Sequence, residues 1–266
     1  MSGHLAVIGI GPGEARQMTL EARGAIDAAE MVLGYGPYLA RLELRADQVV
    51  TASDNREELA RASAALELAA AGKRVAVISG GDPGVFAMAA AVCEAIDNGP
   101  AEWRDLDLTV IPGISAMLGA AARVGAPLGH DFAVLSLSDN LKPFAVIEQR
   151  LAACAAAGLV LALYNPLSRA RPHQFERALD VLRGILGNET VVVFARAVGR
   201  ADEDIRISTL GAARAAMADM ATLVIVGSVM TRLVAREGCA PLVYSPRFWP
   251  ADAPDICGPR EDGGSR

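Results

Sequence analysis

Residues 5–13 read Leu-Ala-Val-Ile-Gly-Ile-Gly-Pro-Gly, a short apolar run that ends in glycines. An apolar run of this length bounded by glycine predicts a buried strand, and the apolar spacing of residues 19–29 predicts a helix after it. Asp54 and Glu57 resemble a capping box that opens a helix ending at Gly72. The alternation continues, with strands predicted at residues 31–33, 74–79, 106–111, 132–137, 159–164, 190–195 and 223–226, and helices at 86–96, 115–123, 144–156 and 173–186.

Strands that alternate with helices predict an α/β protein, in which helices pack closely on parallel strands. Residues 125–129, Gly-Ala-Pro-Leu-Gly, contain two glycines and a proline and predict a domain boundary. We therefore expect two α/β domains, each a central sheet flanked by helices, at residues 1–125 and 126–245. Pro, Asp, Gly and Arg dominate residues 246–266, which predicts a loosely packed tail.

Charge and hydropathy exclude several classes of protein. The chain has 25 Lys and Arg against 31 Asp and Glu, a net charge of −6, and no basic block, so we expect no nucleic-acid partner. The longest nearly apolar stretch, residues 151–164, is 14 residues long, whereas roughly 18 to 20 are needed to span a bilayer. The first residues carry no signal-peptide pattern. We therefore expect a cytoplasmic protein with no membrane partner.

The cysteines and histidines do not have the spacing of a metal site. No C-x-x-C pattern occurs, and the histidines are also far apart in the sequence. The residues concerned are Cys93, Cys154, Cys239, Cys257, His4, His130 and His173. Neither a disulfide framework nor a bound metal is therefore predicted.

Two glycine-rich loops follow predicted strands, where ligands bind in open parallel sheets. Residues 9–14, Gly-Ile-Gly-Pro-Gly-Glu, fail the dinucleotide fingerprint because Glu14 stands where the third glycine is required, so a tight structural turn is the alternative. Residues 79–84, Ser-Gly-Gly-Asp-Pro-Gly, let a ligand touch the backbone. Their acidic residue, Asp82, is either a ligand contact or a turn former.

Two further loops also lie at predicted strand ends. Residues 112–116, Pro-Gly-Ile-Ser-Ala, place Ser115 near a helix cap, and a plain N-cap is the alternative to a binding role. Residues 164–171 bring a buried strand out into Tyr-Asn-Pro-Leu-Ser-Arg-Ala-Arg. A helix entry does not explain Arg169 and Arg171 together, whereas recognition of carboxylates does.

Taken in order, residues 9–13, 80–83, 112–116 and the strand before Gly227 resemble the tetrapyrrole methyltransferases of cobalamin and sirohaem synthesis. The resemblance extends over about residues 4–234. Segments 33–38, 136–144 and 164–171 narrow it to members that contract the corrin ring. It implies the tetrapyrrole methylase fold, with S-adenosyl-L-methionine in a cleft between two α/β domains and usually a homodimer.

The resemblance also implies the reaction, which is methyl transfer to C17 of precorrin-3B with ring contraction to precorrin-4 and release of S-adenosyl-L-homocysteine. Carried over by motif, the expected cofactor contacts are Pro12, Gly80, Gly81, Asp82, Val85, Ser115, Ala116, Tyr164, Asn165, Ala197 and Thr222. Because the substrate is an anionic tetrapyrrole with several carboxylates, the candidates for binding it are Arg169, Arg171, Arg196 and Arg200.

Two candidate catalytic residues depart from the family pattern. Tyr35 falls where related uroporphyrinogen methyltransferases have an aspartate that is proposed to accept a proton. A tyrosine hydroxyl is a poor base at neutral pH, so we expect Tyr35 to donate a hydrogen bond or a proton instead. Glu14 replaces the aspartate that often follows Gly-Pro-Gly, and we expect it to retain that role with a longer reach.

Three alternatives remain open from the sequence. The first alternative stays within the family: the enzyme methylates the cobalt-containing intermediate of the anaerobic route, or a different carbon of the ring. A second class is an oxidoreductase that binds NAD or FAD, against which the failed fingerprint argues. A third class is a tetrapyrrole carrier or sensor without methyl transfer.

Overall fold

The structure, a computed structural model, describes residues 3–54, 57–168 and 170–249. The chain divides into two compact units, Met1–Ala116 and Met117–Arg266. This division falls nine residues before the predicted boundary at residue 125, at the start of the helix Ala116–Val124. The helix lies with the second unit because its buried residues pack against that unit's strands.

The first unit contains a five-stranded sheet whose neighbouring strands are all parallel, in the order β3-β2-β4-β1-β5. Its strands are β1 (His4–Gly9), β2 (Met31–Tyr35), β3 (Val49–Ser53), β4 (Arg74–Ser79) and β5 (Asp107–Ile111). Its helices are α1 (Leu20–Ala28), α2 (Gly36–Leu39), α3 (Glu58–Ala70) and α4 (Met88–Asn98), with 3-10 helices at Ala15–Gln17 and Ala101–Asp105.

Alternate side chains of this sheet enter two different cores. Leu5 and Val7 of β1 pack with α3 and α4 on one face, whereas Ala6 and Ile8 pack with α1 on the other. A parallel sheet covered on both faces needs apolar side chains at every position of its central strands. The apolar run at residues 5–9 therefore becomes an interior strand of the first sheet, between β4 and β5.

The predicted capping box before α3 is only partly confirmed. The backbone N–H of Asp54 donates to the Glu57 carboxylate at 3.1 Å, as in a capping box. The helix nevertheless begins at Glu58, with Glu57 at the N-cap, and ends at Ala70, so the predicted start is wrong by about one turn.

The described residues of the second unit form two sheets and three helices. Its strands are β6 (Gly125–Ala126), β7 (Phe132–Ser136), β8 (Val160–Tyr164), β9 (Val191–Arg196), β10 (Asp204–Thr209), β11 (Thr222–Val226), β12 (Arg232–Val234) and β13 (Leu242–Tyr244). Its helices are α5 (Ala116–Val124), α6 (Phe144–Ala156) and α7 (Gln174–Arg183), with a 3-10 helix at Ala215–Met217. The larger sheet has the order β10-β9-β11-β8-β7, with α6 and α7 on one face and α5 on the other.

This larger sheet is mixed, so the expectation of parallel strands is wrong for the second unit. β7 and β8 are parallel, whereas β8–β11, β9–β11 and β9–β10 are antiparallel. The sequence prediction missed β10, which follows β9 after a short connection. A short connection joins antiparallel neighbours, because a parallel crossover needs a dozen or more residues.

The smaller sheet has the order β12-β13-β6 and uses the predicted boundary segment as a strand. The predicted tail begins beside this sheet, where the ring of Trp249 meets that of His130 edge-on at 6.2 Å. The rest of that tail, residues 250–266, and Cys257 lie outside the described residues. Within the described ranges, no helix combines the length and apolar character that crossing a membrane requires.

Candidate functional site

Three loops of the first unit meet at the carboxyl edge of its sheet. The backbone N–H of Gly11 donates to the carbonyl of Gly81 at 3.2 Å, and Gly81 N–H donates back at 3.0 Å. A Cβ atom at Gly113 would lie 2.3 Å from the Gly81 carbonyl oxygen. Gly81 has a φ of +68°, which favours glycine. The structure thus brings together the loops that hold Pro12, Asp82 and Ser115.

Asp82 ties two of these loops together. One carboxylate oxygen accepts from the backbone N–H of Gly84 at 2.8 Å, and the other accepts from Gly113 at 3.0 Å. The side chain therefore acts as a turn former and as a clamp between loops. Each oxygen keeps a second lone pair, so a role in binding a ligand remains a prediction.

Ser115 carries a buried polar atom without a hydrogen-bond partner in the described part of the chain. Its side chain is 3% exposed, and its Oγ has no hydrogen-bond partner among the described residues. A Cβ atom at Gly81 would lie 3.7 Å from the Ser115 Cα, so the hydroxyl belongs to the same group of loops. Buried hydroxyls are normally hydrogen-bonded, which makes this one a candidate ligand contact.

The candidate catalytic residues differ in their environment. Tyr35 ends β2 at the same edge of the sheet, is half-buried, and packs edge-on against Tyr38 at 5.3 Å between ring centroids. Glu14 is exposed and forms an ion pair with Arg16. The structure places Tyr35 beside the glycine loops and leaves Glu14 at the surface, and the catalytic role of each stays a prediction.

The predicted cofactor residues of the second unit lie at one edge of its larger sheet. Thr222 pairs with Arg196, which precedes Ala197. Val224 pairs with Leu163 on an antiparallel strand, so the chain after Leu163 runs through Tyr164 to Asn165 toward the same end as Thr222. Asn165 and Ala197 have φ values of +54° and +49°, which are uncommon for residues other than glycine. Strained backbone of this kind often occurs at functional sites.

Several polar groups at this edge already have partners in the protein. The Asn165 amide donates to Ser136 Oγ at 3.0 Å, and the Tyr164 hydroxyl accepts from the Met117 N–H at 3.1 Å. The Thr222 hydroxyl donates to Asp219 at 2.7 Å. These bonds hold the edge in place.

The arginines predicted to bind substrate are not equally available. Arg171 is 6% exposed and donates to the carbonyls of Leu137 and Asn165. Arg200 is exposed and forms no ion pair with the described residues. Arg169 lies outside the described residues.

Arg196 forms ion pairs with Asp219 and Asp202, each at 2.8 Å. Hydrogen bonds to these carboxylates, above all to Asp219, raise the pKa of Arg196. Burial opposes ionisation of Asp219, but hydrogen bonds from Arg196 and Thr222 outweigh it and lower the pKa of Asp219. A substrate carboxylate would therefore have to compete with two carboxylates of the protein for this guanidinium.

The profile of the family Tetrapyrrole (Corrin/Porphyrin) Methylases matches residues 4–214. This chain belongs to the tetrapyrrole methylase family. It is 59% identical over 249 residues to the precorrin-3B C(17)-methyltransferase of Sinorhizobium sp, with 94% of this chain and 98% of that protein covered. It is 42% identical over 228 residues to a probable cobalt-factor III C(17)-methyltransferase of Salmonella typhimurium, with 85% and 93% covered.

Among solved structures, the crystal structure of the methyltransferase CobJ superposes on this methylase with a TM-score of 0.88. The two are 46% identical, and the match covers 92% of this chain and 100% of that one. The predicted fold of two sheet-bearing α/β units is therefore confirmed.

Two side chains of this methylase contact the glycine loops without being predicted. Arg41 donates from Nη2 to the carbonyls of Gly11 at 3.1 Å and Gly13 at 2.7 Å. The ring of Tyr38 lies so close to Gly80 that a Cβ atom there would be 2.5 Å from its Cζ. Tyr38 lies in segment 33–38, which resembles the family, so the sequence contained a signal for it. Arg41 lies in no motif.

Proposed function

We propose that this methylase transfers a methyl group from S-adenosyl-L-methionine to C17 of precorrin-3B, with ring contraction to precorrin-4, in cobalamin biosynthesis. The 59% identity to the Sinorhizobium enzyme over nearly both full lengths supports the reaction. The structural observation that carries the proposal is the meeting of three glycine loops around the buried, unpartnered hydroxyl of Ser115.

The residues present fit the cofactor. When bound, S-adenosyl-L-methionine supplies an electrophilic methyl group on a sulfonium whose positive charge is lost in the transfer. Ser115 offers a hydrogen bond to a ligand. Gly11 and Gly81 have no side chains, so a ligand can approach the backbone of these loops closely, while the N–H groups of the two glycines are used in the bonds that hold the loops together. The chain's contribution is therefore to align donor and acceptor and to exclude water.

The other cofactor contacts are proposed from the resemblance. In the first unit they are Pro12, which is buried, the half-buried Val85 and Ala116, and Gly80 and Asp82. In the second unit they are Tyr164, Asn165, Ala197 and Thr222. These four residues lie at the same edge of the larger sheet, which supports their assignment as a group.

Tyr35 is proposed to donate a hydrogen bond or a proton to the macrocycle during the reaction. We predict that Tyr35→Phe lowers turnover by about 100-fold, which is the usual loss of rate when a proton donor is removed. The dissociation constant for S-adenosyl-L-homocysteine is expected to stay within about twofold. Single-turnover methylation and calorimetry measure the two effects. Tyr244→Phe on β13 is the control, and normal single-turnover methylation by Tyr35→Phe would remove the residue from the mechanism.

The experiment that tests the function follows a labelled methyl group. Purified protein is given methyl-labelled S-adenosyl-L-methionine and precorrin-3B, and the label is expected on C17 of a ring-contracted product. Calorimetry is expected to detect binding of S-adenosyl-L-homocysteine and no binding of NAD or FAD. Label at another carbon, or binding of the tetrapyrrole without transfer, would contradict the proposal.

A second candidate substrate is the cobalt-containing intermediate of the anaerobic route. The 42% identity to the Salmonella protein supports it less strongly than 59% supports precorrin-3B. Parallel assays with both substrates separate them, and we expect the higher kcat/KM with the metal-free one.

We also propose that the protein is a homodimer, as the resemblance implies. Sedimentation velocity at micromolar concentration is expected to give one species of twice the chain mass. A single species of one chain mass would contradict this proposal and leave the proposed reaction untouched.

A further inference from the structure

Arg61 lies on α3 with its guanidinium buried, and the residue is 5% exposed. Nε donates to Ser53 Oγ at 2.6 Å, and Nη2 donates to the carbonyl oxygen of Asp54 at 2.5 Å. Nη1 faces the sulfur of Met88 at 3.2 Å, which is only a weak acceptor. The guanidinium is thus held by three neutral groups.

No carboxylate of the described residues forms an ion pair with Arg61 within 4 Å. The more distant Glu58, Glu57 and Asp54 favour its charge, but burial outweighs them and lowers the pKa of Arg61. A buried charge without a close partner is costly to the folded state.

Arg171, the second buried arginine among the described residues, provides a contrast. It has a carboxylate oxygen of Asp139 at 3.7 Å. Arg61 therefore stands out as a buried cation that lacks a nearby counter-charge in the part of the chain that the structure describes.

The guanidinium lies at the functional edge of the first sheet. Ser53 pairs with Tyr35 in the register of β2 and β3, so the hydroxyl that holds Arg61 is next to the candidate proton donor. Met88 begins α4 directly after the loop that carries Gly81. The positive charge is therefore within the group of elements that present the glycine loops.

We propose that Arg61 is a substrate-binding residue whose missing counter-charge is supplied by a carboxylate of the anionic tetrapyrrole, received at Nη1. The proposal rests on the proposed function, since it needs an anionic substrate at this edge. It goes beyond a structural role because the hydrogen bonds to Ser53 and Asp54 do not need a charged donor, whereas binding a substrate carboxylate does.

Arg61→Met tests the proposal, because methionine fills similar space without charge. The expected result is a rise of about 10- to 100-fold in KM for precorrin-3B, the usual effect of losing a charged hydrogen bond. The dissociation constant for S-adenosyl-L-homocysteine is expected to stay within about twofold. Tm is expected to fall by several degrees, because the hydrogen bonds to Ser53 and Asp54 are lost, with the protein still folded. Arg61→Lys keeps the positive charge but lacks the planar guanidinium with its several N–H donors, so an intermediate KM is expected.

The matched control is Arg104→Met, since Arg104 belongs to the same unit, is exposed, and donates to the Asp97 carbonyl at 3.0 Å. Its KM is expected to be unchanged. An unchanged KM in Arg61→Met, a KM in Arg61→Lys as high as in Arg61→Met, or an Arg61→Met protein that does not fold would each overturn the proposal. If instead the unaltered protein neither binds S-adenosyl-L-homocysteine nor transfers methyl, the proposed function itself fails.

Discussion

At the scale of single residues, Ser115 holds a buried hydroxyl that has no partner among the described residues. We predict that Ser115→Ala raises the dissociation constant for S-adenosyl-L-homocysteine about fivefold, since a neutral hydrogen bond contributes about 1 kcal/mol. Tm is expected to be unchanged, because the substitution breaks no bond of the protein itself. Calorimetry and thermal melting measure the two quantities.

Ser245 is the matched control because it is equally buried, at 3% exposure, but fully engaged. Its hydroxyl contacts the Pro127 carbonyl at 2.7 Å and Thr231 Oγ1 at 2.9 Å. Ser245→Ala is expected to lower the free energy of unfolding by about 1–3 kcal/mol, because it leaves buried partners unsatisfied. If Ser115→Ala lowered the free energy of unfolding as this control does, without weakening the binding of S-adenosyl-L-homocysteine, the Ser115 hydroxyl would serve the fold and not a ligand.

At the scale of elements, the contact between the loops after β4 and β5 depends on Gly113. We predict that Gly113→Ala lowers the free energy of unfolding by about 1–3 kcal/mol, because its Cβ would overlap the Gly81 carbonyl and push the loops apart. Binding of S-adenosyl-L-homocysteine is expected to weaken at the same time. Urea denaturation and calorimetry measure both.

Gly24→Ala on α1 is the control, since no described atom outside the chain neighbours and the backbone of the same helix lies within 4 Å of the added Cβ. It is expected to stabilise the protein by up to about 1 kcal/mol, because alanine favours a helix more than glycine does. Equal stability of the Gly113→Ala variant and the unaltered protein would show that the loops can separate without cost.

At the scale of the whole molecule, paired carboxylates set the response to acid. A hydrogen bond from Arg123 lowers the pKa of Glu203, and one from Arg183 lowers the pKa of Glu176. A carboxyl whose pKa is lower in the folded protein stabilises it above the unfolded pKa and loses that effect as pH falls through the folded pKa. We therefore predict a constant free energy of unfolding between about pH 7 and 5 and a progressive loss below about pH 4.

Urea denaturation at several pH values measures this loss, and Glu203→Gln identifies one source. The variant is expected to be less stable at pH 7 and to lose less stability between pH 5 and 3, because its amide cannot titrate. Identical slopes in the variant and the unaltered protein would assign the acid response to other groups.

The elements that the sequence predicted best have strong apolar patterns. β4 and α6 have the predicted bounds, Arg74–Ser79 and Phe144–Ala156, since one is buried along most of its length and the other has a regular apolar face. The strands β3, β6, β10, β12 and β13 were not predicted. Val49 and Val50 of β3 are exposed, and β10 is only half-buried, so neither has the apolar run that marks a central strand.

The alternation of elements, the family and the glycine loops could be predicted from the sequence, because they depend on neighbouring residues and on backbone conformations that only small side chains permit. Three features became visible in the folded chain alone: the mixed order of the second sheet, the contact of Arg41 with Gly13, and the buried charge of Arg61. These features depend on which distant segments become neighbours. The local sequence contains no signal for a contact that forms only when the chain folds.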